Sequence, residues 1–225
     1  AASTVGGNLS ATATTGNMED AGVLTIAGTS SFTTSATDAD IILNNANAFT
    51  GAVALNTTGS TGHATIDNGI TALDIGASSV GGNLTLVSGN QSGITDSGSV
   101  EVEGNLVAKT NANSGEINLG TLAVDGTVQL TTHGSGDATV VNDAGLNFAA
   151  STVGGALSAT ATTGNITDSG ALAITGTSTF TAANGQSVVL DESSTFSTVT
   201  FASPGTIASV EINDSNALDL GALTV

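Results

Sequence analysis

The stretch from Ala1 to Thr33 recurs at Ala149 to Thr181 with three quarters of its positions identical. A weaker copy lies between them. Ser79-Val80-Gly81-Gly82-Asn83-Leu84 matches Thr4-Val5-Gly6-Gly7-Asn8-Leu9, and Ile94-Thr95-Asp96-Ser97-Gly98 matches Ile166-Thr167-Asp168-Ser169-Gly170. Val5, Val80 and Val153 therefore hold one position in three copies, at nearly equal spacing. Self-similarity at a fixed period marks an architecture in which each unit buries its apolar face against the next. The chain divides into repeats 1–75, 76–148 and 149–225 of one continuous segment.

Short alternating runs such as Asn8-Leu9-Ser10-Ala11-Thr12, broken by Gly and Asn, predict strands and turns. β-Branched residues, Gly and Asn are poor helix formers, and no 3.6-residue apolar stripe is sustained. Each unit carries nine apolar anchors. In the first they are Leu9, Met18, Leu24, Phe32, Ile42, Phe49, Val53 with Leu55, Ile66, and Leu73 with Ile75. Val107 in the second unit and Val189 in the third take the places of Phe32 and Ile42 in the same series. Three strands to a coil gives coils of roughly 25 residues, three coils per unit and nine in all, stacked as a parallel β-helix about 40 Å long at the usual strand spacing. The inner residues would then form continuous aliphatic columns. Aromatics are only 3 % of the chain, as expected for a coil interior too narrow for rings. The single proline, Pro204, belongs at a turn, because it cannot donate to an inner ladder. Recurrent Leu, Ile and Val separate the chain from disordered Gly/Ser/Thr sequences.

The charge is one-sided: 19 acids, the single cation Lys109 and a net charge of −18. That argues against nucleic acid, whose phosphates need Lys and Arg, and against docking on anionic lipid. Cysteine is absent, so disulfides and thiolate metal sites are excluded. No apolar run approaches the ~20 residues of a transmembrane helix, and the first residues do not read as a signal peptide, so targeting signals are expected elsewhere. Both ends fall within the repeat pattern, so the expectation is an excerpt of a longer array.

The words Val5-Gly6-Gly7-Asn8-Leu9, Gly164-Asn165-Ile166-Thr167-Asp168-Ser169-Gly170-Ala171-Leu172 and Ala217 to Val225 resemble the repeats of filamentous-haemagglutinin-like giant exoproteins of bacteria. The resemblance covers the whole chain. It implies a right-handed β-helix, export through an outer-membrane partner pore, an extracellular or cell-surface location and service in an adhesin. It carries over no binding residue.

Asp20, Asp96 and Asp168 occupy one repeat position. On the three-coil geometry they stand ~14 Å apart, too far to share a calcium ion, and each is expected to cap nearby backbone in a turn. Asp38 with Asp40, Glu101 with Glu103, and Asp191 with Glu192 are local acidic pairs that do not recur in all three copies, and are expected on solvated faces. Gly134-Ser135-Gly136-Asp137 is an isolated approach to a calcium nonapeptide. His63 and His133 do not superpose and give neither metal spacing nor a base–nucleophile pair. Thr12-Ala13-Thr14 and Thr160-Ala161-Thr162 echo ice-binding ranks but lapse in the middle copy. Sequons such as Asn8-Leu9-Ser10 are expected by chance in so Asn- and Thr-rich a chain. No catalytic, cofactor-binding or metal-ligating residue is assigned.

The expected function is structural and non-catalytic: a rod-like stalk, fibre or sheath of a secreted or surface protein that supports adhesion or cell–cell contact. The alternative is a binding module presenting a flat face to glycans or to a second rod. An enzyme of the carbohydrate-cleaving β-helix type would need a one-off acid/base cluster, and the repeats display none. The expected partners are further repeats of the same chain, lateral or end-to-end copies of itself, and glycans or another cell surface.

Overall fold

The alternation in the sequence becomes 28 strands of two to eight residues in a computed structural model that describes residues 1–223. They stack in parallel as a β-solenoid of about ten turns, each of about 21 residues. The length of a turn varies slightly along the stack. It is short where Ala138 pairs with Leu157 and longer where Ile41 pairs with Ala64. Turns are thus shorter and more numerous than the nine coils expected from anchor spacing. The corners are tighter than that spacing implies, and single strands bend round corners instead of stopping at them.

Two long sheets of 13 and 12 strands run the length of the molecule, and a third of three strands (Ser3–Val5, Leu24–Ile26, Ala48–Phe49) flanks the first turns. Beyond that point a side is bent out of a long sheet, as where Leu73–Ile75 and Ser78–Val80 lie in one turn.

The register corrects the three-coil unit. Leu9 stacks on Ser30, Val53 and then Ile75, which is three turns, and its repeat equivalent Leu84 lies nine residues further on. Leu84 stacks on Leu106, Val128 and Phe148, and its equivalent Leu157 is again nine residues on. One repeat is therefore three turns plus nine residues. Equivalent residues rotate by somewhat under half the contour with each copy: Leu9–Ala13 and Leu157–Ala161 lie in the 13-stranded sheet, Leu84–Ser88 in the other.

Inner columns such as Leu86–Ala108–Leu130 have no exposed side-chain surface. Each fully buried Leu, Ile or Val contributes about 1.5–3 kcal/mol. Three expected anchors face outward instead. Ile42, Val107 and Val189 are half-buried, while their neighbours Ile41 and Leu43, Leu106 and Ala108, and Val188 and Leu190 fill the core. Each lies within a run of consecutive apolar residues, where period-two alternation gives no phase.

Rings do enter the interior. All six phenylalanines are buried, in one edge-on pair, Phe32–Phe49 at 5.6 Å, and one group around Phe180 that includes Phe148, Phe196 and Phe201. Equivalent inner pairs show how room is made. Ser30 precedes Phe32 by two residues and Ser178 precedes Phe180, whereas the middle copy has Leu106 and Ala108. A large ring is matched by a small neighbour, so the local volume stays nearly constant, as close packing demands. The cost is a buried, unpartnered hydroxyl on Ser30 and on Ser178. Pro204 sits exposed in a bend, as expected.

Candidate functional site

Most corner residues that carry chemistry are engaged with backbone of the neighbouring turn. Asn17 Oδ1 accepts from Asp40 N–H at 2.9 Å, Asp40 Oδ1 from His63 N–H at 2.8 Å, and His63 Nδ1 from Asn83 N–H at 2.8 Å. Asn83 Oδ1 then accepts from Asn105 N–H at 2.9 Å, and Asn105 Oδ1 from Thr127 N–H at 2.8 Å. One acceptor per turn thus forms a ladder down a single corner, satisfying an N–H that lies beside backbone rungs such as Gly82 N–H to the Gly62 carbonyl and Ala64 N–H to the Asn83 carbonyl. As an acceptor, Nδ1 of His63 is unprotonated, which places that ring's proton on Nε2. His133 instead faces the Thr110 carbonyl through Nδ1 at 2.8 Å, so there Nδ1 donates. Neither histidine meets a nucleophile or a metal-binding set.

The repeated aspartate does the same work in all three copies, but across turns. Asp20 accepts from the Asn44 and Asn45 amides, both at 3.2 Å, and from the Asn45 and Asn47 side chains at 2.9 and 2.7 Å. Asp96 accepts from Gly120 and Thr121 amides at 2.9 and 2.7 Å and from the Thr121 hydroxyl at 2.9 Å. Asp168 has only the Asp191 amide at 3.0 Å and a long contact with Glu192 N–H at 3.5 Å. It is 8 % exposed, and its Oδ2 has no partner. Burial, against too few donors and beside the Asp191 and Glu192 carboxylates, pushes the Asp168 acid up to about 6. The expected local turn cap is therefore an inter-turn cap, and the rotation per repeat takes the three aspartates off any common edge.

A second recurrent device was not foreseen. Asn68 and Asn142 are 0 % and 1 % exposed. Asn68 Oδ1 accepts from Phe49 N–H at 2.7 Å while its Nδ2 donates to the Phe49 and Ala72 carbonyls at 3.0 and 2.8 Å. Asn142 repeats this on Val124 at 2.8 and 3.0 Å and on Gly145 at 2.7 Å. An inward amide here substitutes for a peptide group at a corner with no strand beneath it. The third copy places Asp214 at this position. Its Oδ1 accepts from Phe196 N–H at 3.3 Å, and its Oδ2 is buried without a partner. The signal was an aligned Asn/Asn/Asp two residues after Ile66, Val140 and Ile212.

The acidic pairs divide. Asp38 and Asp40 cap Thr61 and His63 of the next turn, and Asp137 caps Ala156. Glu101 and Glu103 join Asp125 and Asp143 around a shallow hollow on adjoining turns, a grouping invisible in sequence. Among the described residues no three His, Cys, Asp or Glu side chains come close enough to hold one metal ion, and no helix is long and apolar enough to cross a membrane. Thr162 is diverted to the Asp143 carbonyl at 2.6 Å, so Thr160-Ala161-Thr162 is not a rank. A different rank exists on the 13-stranded sheet: Asn118, Thr139, Ser158, Thr179 and Thr200 stack residue on residue, with Val141, Thr160, Thr181 and Ala202 beside them.

Uninterrupted parallel stacking, aliphatic columns and polar corners tied to their neighbours define a β-solenoid repeat protein. The chain belongs to the DUF5649 family of repeats of unknown function, which it matches over residues 1–56, 61–119 and 135–203. No curated protein and no solved structure matches it.

Proposed function

We propose that this segment is a non-catalytic rod in a secreted or cell-surface repeat protein of the filamentous-haemagglutinin type, serving as stalk, fibre or sheath in adhesion. The observation that carries the reading is the destination of the corner side chains. Asp20, Asp40, His63, Asn83, Asn105 and Asp137 all spend their acceptors on backbone of the adjacent turn. Each thereby commits at least one acceptor to extending a ladder between turns, the work expected of a rod. The resemblance of the Gly-Gly-Asn-Leu and Asp-Ser-Gly-Ala-Leu words supports export and surface location. Small-angle scattering in solution tests the shape. A rod roughly 50 Å long, from ten turns at the strand spacing, supports the reading, and an isotropic particle overturns it.

A second reading has its own observation. The uncharged rank Asn118–Thr139–Ser158–Thr179–Thr200 is flat and regular on a protein of net charge −18, and suits contact with a glycan or a second rod. Charging it by Ser158→Asp and Thr179→Asp would abolish such contact while leaving the fold intact.

A further inference from the structure

One position of the repeat carries a side-chain oxygen that the chain leaves over. Leu73-Asp74-Ile75, Leu146-Asn147-Phe148 and Leu218-Asp219-Leu220 are equivalent. In the first two copies the Oδ1 atoms of Asp74 and Asn147 are both buried without a partner. Such groups are rare, and two at one repeat position form a pattern. The polar atoms around them are committed. Asp74 Oδ2 accepts from the Ser97 hydroxyl at 2.9 Å. Thr127, on which Asn147 stacks, gives its amide and its hydroxyl to Asn105 Oδ1 at 2.8 and 3.0 Å. Asn165 Oδ1 accepts from Ser187 N–H at 2.8 Å. Asn147 thus stands where the corner ladder would add its next acceptor, but it pairs with Thr167 inside the sheet and its oxygen meets no N–H.

Asn147 also lies in the wall of an open hollow of about 300 Å³, shared by three successive turns and lined with Asp125, Gly126, Gly145, Asn165 and Thr167. That volume is in the range of small-ligand sites and well above what one water fills. The chemistry narrows the ligand. The repeat position is Asp in two copies and Asn in one, and both Asp74 and Asn147 keep the same unpaired oxygen, so what is missing is a hydrogen-bond donor and not a positive charge. Calcium affinity follows the number of carboxylates. The hollow offers one, Asp125, and among the described residues no three His, Cys, Asp or Glu side chains gather on one ion. A single exposed carboxylate holds an ammonium or guanidinium group only weakly, and an anion is repelled by a chain of net charge −18.

We propose that this hollow binds a neutral sugar, one pyranose unit with adjacent free hydroxyls. One hydroxyl donates to Asn147 Oδ1, which a small turn of the partly exposed side chain presents to the hollow. The neighbouring hydroxyl donates to the Asp125 carboxylate at the exposed rim, and the Thr167 hydroxyl serves a third. A hydroxyl both donates and accepts, so it satisfies the Asn147 amide in either orientation, which an ammonium group does not. All six phenylalanines are buried, so no ring stacks on the sugar, and a dissociation constant of the order of millimolar is expected for a ligand of about a dozen heavy atoms. The site lies on the 12-stranded sheet, apart from the uncharged rank on the 13-stranded one. It goes beyond the rod reading and does not depend on it.

The test is a titration of the isotope-labelled whole chain with the methyl glycosides of glucose, galactose and mannose into the tens of millimolar, followed by amide nuclear magnetic resonance. Saturable shifts at Gly126, Gly145 and the Asn147 side-chain amide are expected with at least one glycoside. Asn147→Ala should weaken that binding about tenfold. It should leave the thermal midpoint unchanged or higher, because it deletes an unsatisfied oxygen. Asp125→Asn should weaken binding severalfold at an unchanged midpoint. The site is overturned if none of the three glycosides gives a saturable shift, or if both variants bind as the parent does. It is also overturned if calcium chloride or ethylamine saturates the same amides at a lower concentration than any glycoside. None of these outcomes bears on the rod shape, which scattering reads separately.

Discussion

Replacing Asn142 by Asp tests the claim that an inward amide substitutes for a missing strand. Oδ1 can still accept from Val124 N–H, but the second oxygen then faces the Val124 and Gly145 carbonyls, to which Nδ2 donates at 3.0 and 2.7 Å. At acid pH the protonated acid restores one of the two donated bonds, so the loss is about 1–2 kcal/mol. At neutral pH a site 1 % exposed cannot hold a carboxylate facing two carbonyls, so the acid stays protonated. Its folded pKa then lies above its unfolded value near 4, and stability present below that value is lost as pH rises. At 1.36 kcal/mol per pH unit this adds up to about 4 kcal/mol. A total loss of roughly 5–6 kcal/mol at pH 7 is a large part of a domain's stability. The chain has no Trp or Tyr, so urea unfolding is best followed by far-ultraviolet circular dichroism at both pH values. The reverse change, Asp214→Asn, supplies the missing donor in the third copy and is expected to stabilise by about 1 kcal/mol. An Asn142→Asp loss below about 1 kcal/mol at neutral pH, or one equal at both pH values, would refute the argument.

Further outcomes follow from other sites. Asp168 is raised from 3.8 to about 6, so the folded protein holds a proton the unfolded chain releases. Stability should fall as pH rises through that window by at most about 3 kcal/mol, and Asp168→Asn should flatten this part of a stability–pH curve. Ala108→Phe alone should overpack the core by about 1–3 kcal/mol, but combined with Leu106→Ser it reproduces the Ser178/Phe180 arrangement. A double-mutant cycle should therefore return a favourable coupling above about 0.5 kcal/mol. Gly93 and Gly16 both have positive φ, +68° and +75°, yet only at Gly93 would a Cβ strike backbone, the Glu116 carbonyl. Gly16→Ala should cost about 1–2 kcal/mol and Gly93→Ala clearly more, read as a difference in urea midpoints.

The sequence by itself determined that the chain is a stack. Three copies of one unit, period-two alternation and turn residues between short apolar runs leave few alternatives to a β-solenoid, because each depends on local chemistry repeated along the chain. Its spacing of the recurrent aspartates argued against a shared metal ion, but it suggested only local turn caps, and the reach of each to the next turn came from the stack. The tertiary structure decided what depends on the path around the contour. A turn of about 21 residues does not divide the repeat, and that remainder of nine residues sends equivalent side chains to different faces. No periodicity within one strand reports it. It also decided which of three adjacent aliphatics points inward at Ile41-Ile42-Leu43, and that Asp20 reaches Asn45, 25 residues away. Likewise only the stacked turns show Asn142 clasping Val124, 18 residues back. These contacts exist only after the turns stack, because each joins groups that the chain separates by nearly a whole circuit and the strand spacing then brings within hydrogen-bonding reach.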